Sequence, residues 1–238
     1  MNLSPIKRSS VKRSTLGLAL LFLVTALLPL PASAHYLNFS SHHWPWTAGH
    51  HLLWIGFNNC ADFFSGSRAR ATDAADSWTA TATPIYLDQI GCDSYTGPGR
   101  VSILDGHFDD PNLLGYTWSY SIDHCPSTYL YCVTDDTSWQ IDGSLIRLNN
   151  TRSDGDSSTW SFNRFSAFDQ QLVVTHEIGH AFGLAHNGYY VGEKDGSGNP
   201  IGCYSIMDNC WSGSTPPAPS NTPQPHDVND INALYPGW

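Results

Sequence analysis

His176-Glu177-Ile178-Gly179-His180-Ala181-Phe182-Gly183-Leu184-Ala185-His186 is the stretch on which the reading of this chain turns. On a helix, His176 and His180 stand one turn apart, so both imidazoles leave the same face and can hold one metal ion. Gly183 lets the backbone quit the helix through a sharp, left-handed turn, and His186 can then swing back as a third ligand. Three neutral imidazoles with a fourth position left open form the ligand set of a catalytic zinc site rather than a closed structural one. The chain has 11 His in 238 residues, and Glu177 and Glu193 are its only glutamates, so a chance fit of three His, one Glu and one Gly at these spacings is improbable.

The chemistry of such a site follows from its open position. A zinc ion acidifies a water and polarises a carbonyl, and a neighbouring carboxylate can take the water's proton as it attacks. Glu177 is the expected catalytic residue, and hydrolysis of peptide bonds is the expected reaction. The motif alone also admits hydrolysis of non-peptide amides, and the 29 aromatic residues after residue 34 admit an aromatic-rich binding module with a degenerate metal site. An intact Glu177 argues against the binding module, because a merely structural zinc needs no base beside it.

Downstream, Tyr204-Ser205-Ile206-Met207-Asp208 carries the only methionine besides Met1. Taken alone, Met207 reads as core filler. Standing 21 residues after the third histidine, it fits a methionine-containing turn beneath the three imidazoles.

Working outward, Asp169 reads as the N-cap of a helix that runs to Phe182, with Gly183 ending it. Ala71, Ala74, Ala75 and Trp78 fall at the i, i+3, i+4, i+7 spacing of a helical stripe, which predicts a helix over about 67–80. Short strands are expected at 52–57, 85–87, 101–104, 116–122 and 145–148, each bounded by Gly, Asn, Asp or Pro. Five prolines make 212–225 an extended loop, after which Asp227 caps a last helix with an apolar stripe of Val228, Ile231, Ala233 and Leu234. Periodicity does not fix the direction of the strands.

Residues 1–34 read as a secretory signal peptide: a basic start (Lys7, Arg8, Lys12, Arg13), an apolar run from Leu16 to Leu30, and Ala32-Ser33-Ala34 before His35. The remainder, 35–238, is expected to be one secreted catalytic domain, monomeric and free of the membrane once the leader is cut. It keeps seven of the 11 Lys and Arg against all 21 acids, a formal charge of −14, which disfavours nucleic acid as a partner and leaves protein or peptide substrates. The six cysteines, all in an exported chain, predict three disulfides. The short spacings suggest Cys125–Cys132 and Cys203–Cys210, leaving Cys60–Cys92, although six cysteines permit 15 pairings.

At His176, Glu177, His180, Gly183, His186 and Met207 the sequence resembles the metzincin zinc proteases, matching H-E-x-x-H-x-x-G-x-x-H and the Met-turn in full. Within them it is most similar to the matrixin type, including small secreted bacterial members. Leu145-Ile146-Arg147-Leu148-Asn149, Trp160 and Val173-Val174-Thr175 resemble the usual approach to the active-site helix, and His226-Asp227-Val228-Asn229-Asp230-Ile231-Asn232-Ala233-Leu234-Tyr235 resembles the usual ending. The resemblance implies an α+β fold: a twisted, mixed, mostly parallel five-stranded sheet with an active-site helix, a Met-turn and a C-terminal helix. It lacks the Pro-Arg-Cys-Gly latency segment, so no cysteine switch is expected. His107-Phe108-Asp109 offers only part of the second, structural zinc site that family members often carry. Calcium is the other candidate cation, at the oxygen-rich Asp109-Asp110 and Asp195-Gly196-Ser197-Gly198-Asn199, neither of which has a complete calcium pattern.

Overall fold

The structure, a computed structural model, describes residues 44, 51–92, 99–106, 108, 113–120, 141–150, 161–186, 205–208 and 220–236. All of them lie in the compact unit Ser33–Trp238. The expected leader, His107, Asp109, Asp110, the 195–199 loop and Cys125, Cys132, Cys203 and Cys210 fall outside the described residues. No described helix is long and apolar enough to cross a membrane.

Five strands, β1 (His51–Phe57), β2 (Ile85–Cys92), β3 (Arg100–Gly106), β4 (Gly115–Tyr120) and β5 (Gly143–Asn149), form one sheet in the order β2-β1-β3-β5-β4. The β1–β2, β1–β3 and β3–β5 pairs are parallel, and β4 runs antiparallel to β5 at one edge. The mixed, mostly parallel five-stranded sheet is therefore present. β2 extends past the expected 85–87 because pairing with β1 carries it across a register shift at Ile55/Gly56 to Cys92. Its second half is Asp88-Gln89-Ile90-Gly91-Cys92, which has no strand pattern of its own, so the neighbouring strand rather than local preference holds it extended.

Helix α1 (Ser65–Thr79) joins β1 to β2, and α2 (Ala167–Ala181) follows β5. The predicted stripe is the buried one: Ala71, Ala74, Ala75 and Trp78 all face the core. Three alanines let α1 approach closely, and Trp78, with none of its surface exposed, fills the space between α1 and α2. Its indole Nε1 donates to the Thr175 carbonyl of α2 at 2.9 Å, so the large apolar ring enters the core without an orphaned N–H. Against these helices the sheet presents Ile55, Phe57, Val101, Ile103, Ile146 and Leu148.

Helix starts differ from the sequence reading in one consistent way. α2 is capped by Ser166, whose hydroxyl accepts from the Asp169 N–H at 3.1 Å, and Asp169 sits three residues inside. In α3 (Pro225–Leu234) the N-cap is Gln224, and Asp227 is again at the third helical position. An acidic side chain suits both the cap and the first turn, because either place sets it near unpaired N–H groups at the positive end of the helix, so an Asp marks a start only to within three residues.

Cys60 and Cys92 form a disulfide with Cα atoms 5.4 Å apart, tying the turn after β1 to the end of β2. Trp44, the one described residue before β1, is buried, and its Nε1 donates to the Ala181 carbonyl at 3.0 Å at the end of α2.

Trp78→Ala is expected to lower unfolding free energy by about 3–5 kcal/mol, the range for deleting a buried aromatic side chain. Trp78→Phe, which keeps most of the apolar ring but removes the donor to the Thr175 carbonyl, is expected to lose less, about 1 kcal/mol for the hydrogen bond. Urea unfolding midpoints of the parent and the two variants check this, and a Trp78→Phe midpoint equal to the parent's would show that the indole hydrogen bond contributes nothing.

Candidate metal centre

α2 runs to Ala181, and Gly183 follows with φ at 98°, the left-handed conformation that a side chain would strain. Two backbone bonds close this end, Leu184 N–H to Gly179 O at 3.0 Å and Gly183 N–H to His180 O at 2.9 Å. The turn brings His186 back over the helix. Its Nε2 lies 3.0 Å from that of His176 and 3.1 Å from that of His180, and the latter two are 3.1 Å apart. Among the described residues this is the one group of three or more His, Cys, Asp or Glu side chains set to hold a metal.

Hydrogen bonds at the far side of two rings decide which nitrogen is free. His176 Nδ1 lies 2.8 Å from the Ile206 carbonyl and His180 Nδ1 lies 2.7 Å from the Leu184 carbonyl. A carbonyl only accepts, so both Nδ1 atoms carry hydrogen and both Nε2 atoms present lone pairs. Burial lowers His176 to about 4, with the nearby His186 acting in the same direction and the Ile206 carbonyl opposing it. Burial, then the charges of His176 and His186, takes His180 well below its usual value, and burial also lowers His186. The rings are therefore neutral near pH 7.

Converging lone pairs at 3.0–3.1 Å repel one another unless a proton or cation lies among them. Nitrogens bound to one zinc at about 2.0–2.1 Å can be no more than about 4.2 Å apart, so this triangle fits a single ion. Two rings also have the Nδ1–H to carbonyl bond that orients a metal-binding imidazole. The residues present thus suit zinc. They give no support to calcium, which takes six to eight oxygen ligands.

Glu177, next to His176, is buried, and its side chain points toward β4, where Thr117 Oγ1 lies 2.6 Å from Glu177 Oε2. Burial raises the carboxyl to about 7, and the Thr117 hydrogen bond pulls the other way. A cation held by the imidazoles would favour the ionised form further.

Met207 is fully buried beneath these groups. A Cβ on Gly179 would stand 2.4 Å from Met207 Sδ, so the bare backbone between His176 and His180 is what lets the thioether pack against the helix. Met207 is both core filler and part of a turn, Ser205–Asp208, whose Ile206 carbonyl holds His176. Asp227 fixes that turn. Its carboxylate accepts from Ser205 Oγ, from Ile206 N–H at 3.0 Å and from Gln224 N–H at 2.7 Å. By sequence Asp227 marks only a helix start. Its spacing from Gln224 signals a capping box, but nothing local signals a contact 21 residues back.

Asp227→Asn puts an amide N–H₂ or a weaker acceptor against three donors and should loosen the turn under His176. Zinc affinity is expected to fall by about 10-fold or more with all three imidazoles intact, the usual effect of disturbing a ligand's support. Competition against a chromophoric chelator measures it, and an unchanged affinity would show that the Met207 turn does not orient the site.

No protein-family model matches the chain, and no curated protein matches it. Among solved structures it is similar to a crystal structure of myroilysin at 15% identity and a TM-score of 0.41, covering 88% of this chain and 98% of that one. A second structure of myroilysin matches at 14% identity and a TM-score of 0.43, covering 80% of this chain and 82% of that one. Neither likeness singles out the matrixin type.

Proposed function

We propose that this chain is a zinc-dependent endopeptidase of metzincin type, acting on protein or peptide substrates outside the cell. The observation that carries the reading is the triangle of three Nε2 atoms, 3.0–3.1 Å apart, on a helix whose next residue after His176 is the buried Glu177. His176, His180 and His186 would hold the ion, which when bound supplies Lewis-acid polarisation of a carbonyl and acidification of a water.

The remaining work belongs to the chain's own groups. The carboxylate of Glu177 takes the proton of the attacking water and then returns it to the leaving amine. A carboxyl displaced upward by burial is suited to both steps, since a proton acceptor that binds too weakly cannot take the proton and one that binds too strongly cannot release it. The Nδ1–H bonds of His176 and His180 keep their rings in one tautomer and one orientation throughout.

Export as a secreted protein is supported by the 1–34 leader pattern and by the Cys60–Cys92 disulfide. The finer reading, a matrixin-like member of the group, rests on sequence resemblance alone. Hydrolysis of a non-peptide amide would use the same residues and is separated by substrate screening.

The test compares the purified chain with Glu177→Gln. One zinc per chain and chelator-sensitive cleavage of casein are expected for the parent. The variant is expected to keep its zinc and lose at least about 100-fold in rate, the scale of general-base catalysis. A variant that binds zinc and cleaves as fast as the parent would refute the role of Glu177.

A further inference from the structure

Gly115 and Thr117 lie on the same side of β4, paired with Leu148 and Ile146, whose side chains are buried on the helix-facing side of the sheet. Both residues meet Glu177, 62 and 60 positions along the chain. Thr117 Oγ1 is 2.6 Å from Glu177 Oε2 and 3.0 Å from the Glu177 main-chain oxygen. A Cβ on Gly115 would stand 2.5 Å from Glu177 Oε1 and 2.8 Å from Glu177 Cγ. One edge strand therefore touches both carboxylate oxygens, one through a hydroxyl and the other through a missing side chain.

The terminal torsion of a glutamate has a broad, soft profile, so an unsupported carboxylate rotates freely about its last bond. An ionised carboxylate has no proton to give, which makes the Thr117 hydroxyl the donor. Its single proton goes to the shorter and charged contact, Oε2. The bare Gly115 backbone leaves room for Oε1 where any side chain would displace it.

We propose that Thr117 is the positioning residue for Glu177, its hydroxyl fixing the rotation of the carboxylate, with Gly115 providing the space that this orientation needs. The inference rests on Glu177 being the general base. Both hydrogen bonds of the Thr117 hydroxyl go to Glu177, so it acts through that residue.

Thr117→Val keeps the shape and removes the donor, whereas Thr117→Ser keeps the donor. For the zinc-loaded chain on a quenched peptide, Val is expected to lower kcat by about 10- to 100-fold with KM and zinc content unchanged, and Ser to restore kcat to within about threefold. If Val does not fold, Ala replaces it in the comparison with Ser. A second readout needs neither zinc nor substrate. Because Glu177 and Glu193 are the only glutamates, selective ¹³Cδ labelling gives two carboxyl signals, and Glu177→Gln identifies which is which. At one fixed pH, the Glu177 signal of the metal-free chain should move on Thr117→Val and return on Thr117→Ser. A parent that binds zinc but cleaves nothing would refute the general-base reading, and this inference with it. An active parent whose kcat and Glu177 signal are the same in the Val and Ser variants would overturn the Thr117 assignment alone.

Discussion

Everything at this site depends on two short hydrogen bonds that point away from it. Ile206 O and Leu184 O each accept from an imidazole Nδ1, at 2.8 and 2.7 Å, and so leave Nε2 of His176 and His180 bare. Without those carbonyls either ring can flip or change tautomer, and a nitrogen that carries hydrogen cannot bind a metal. The surrounding structure can be understood as the means of fixing the two carbonyls. Leu184 is placed by the left-handed turn at Gly183, and Ile206 by the Ser205–Asp208 turn seated on Asp227.

The sheet contributes by distance. α1 and α2 pack through Trp78 and three alanines, which sets α2 on the sheet with Glu177 against the edge strand β4. His176, His180 and the carboxylate leave one helix but are held by different partners. Turns hold the rings, and a strand holds the acid.

Much of this was legible in the sequence, for identifiable reasons. The positions of His176, His180, Gly183 and His186 encode a local geometry, because helical pitch and one glycine suffice to bring three rings together. The Ala71-Ala74-Ala75-Trp78 stripe was equally local. What escaped the sequence was long-range. The 60-residue contact of Thr117 with Glu177 and the 21-residue contact of Asp227 with Ile206 leave no periodic signal. The second half of β2 escaped because its extension comes from pairing with β1, and the helix caps slipped by three residues because an aspartate suits the cap and the first turn alike.

Three neutral imidazoles bring their Nε2 atoms within 3.0–3.1 Å of one another, a spacing that suits one bound ion. X-ray absorption at the zinc edge of the loaded chain tests it most directly. The account predicts three nitrogen ligands at about 2.0–2.1 Å, from His176, His180 and His186, and no sulfur. A chain that retains no zinc, or a spectrum showing thiolate ligands at about 2.3 Å, would contradict it.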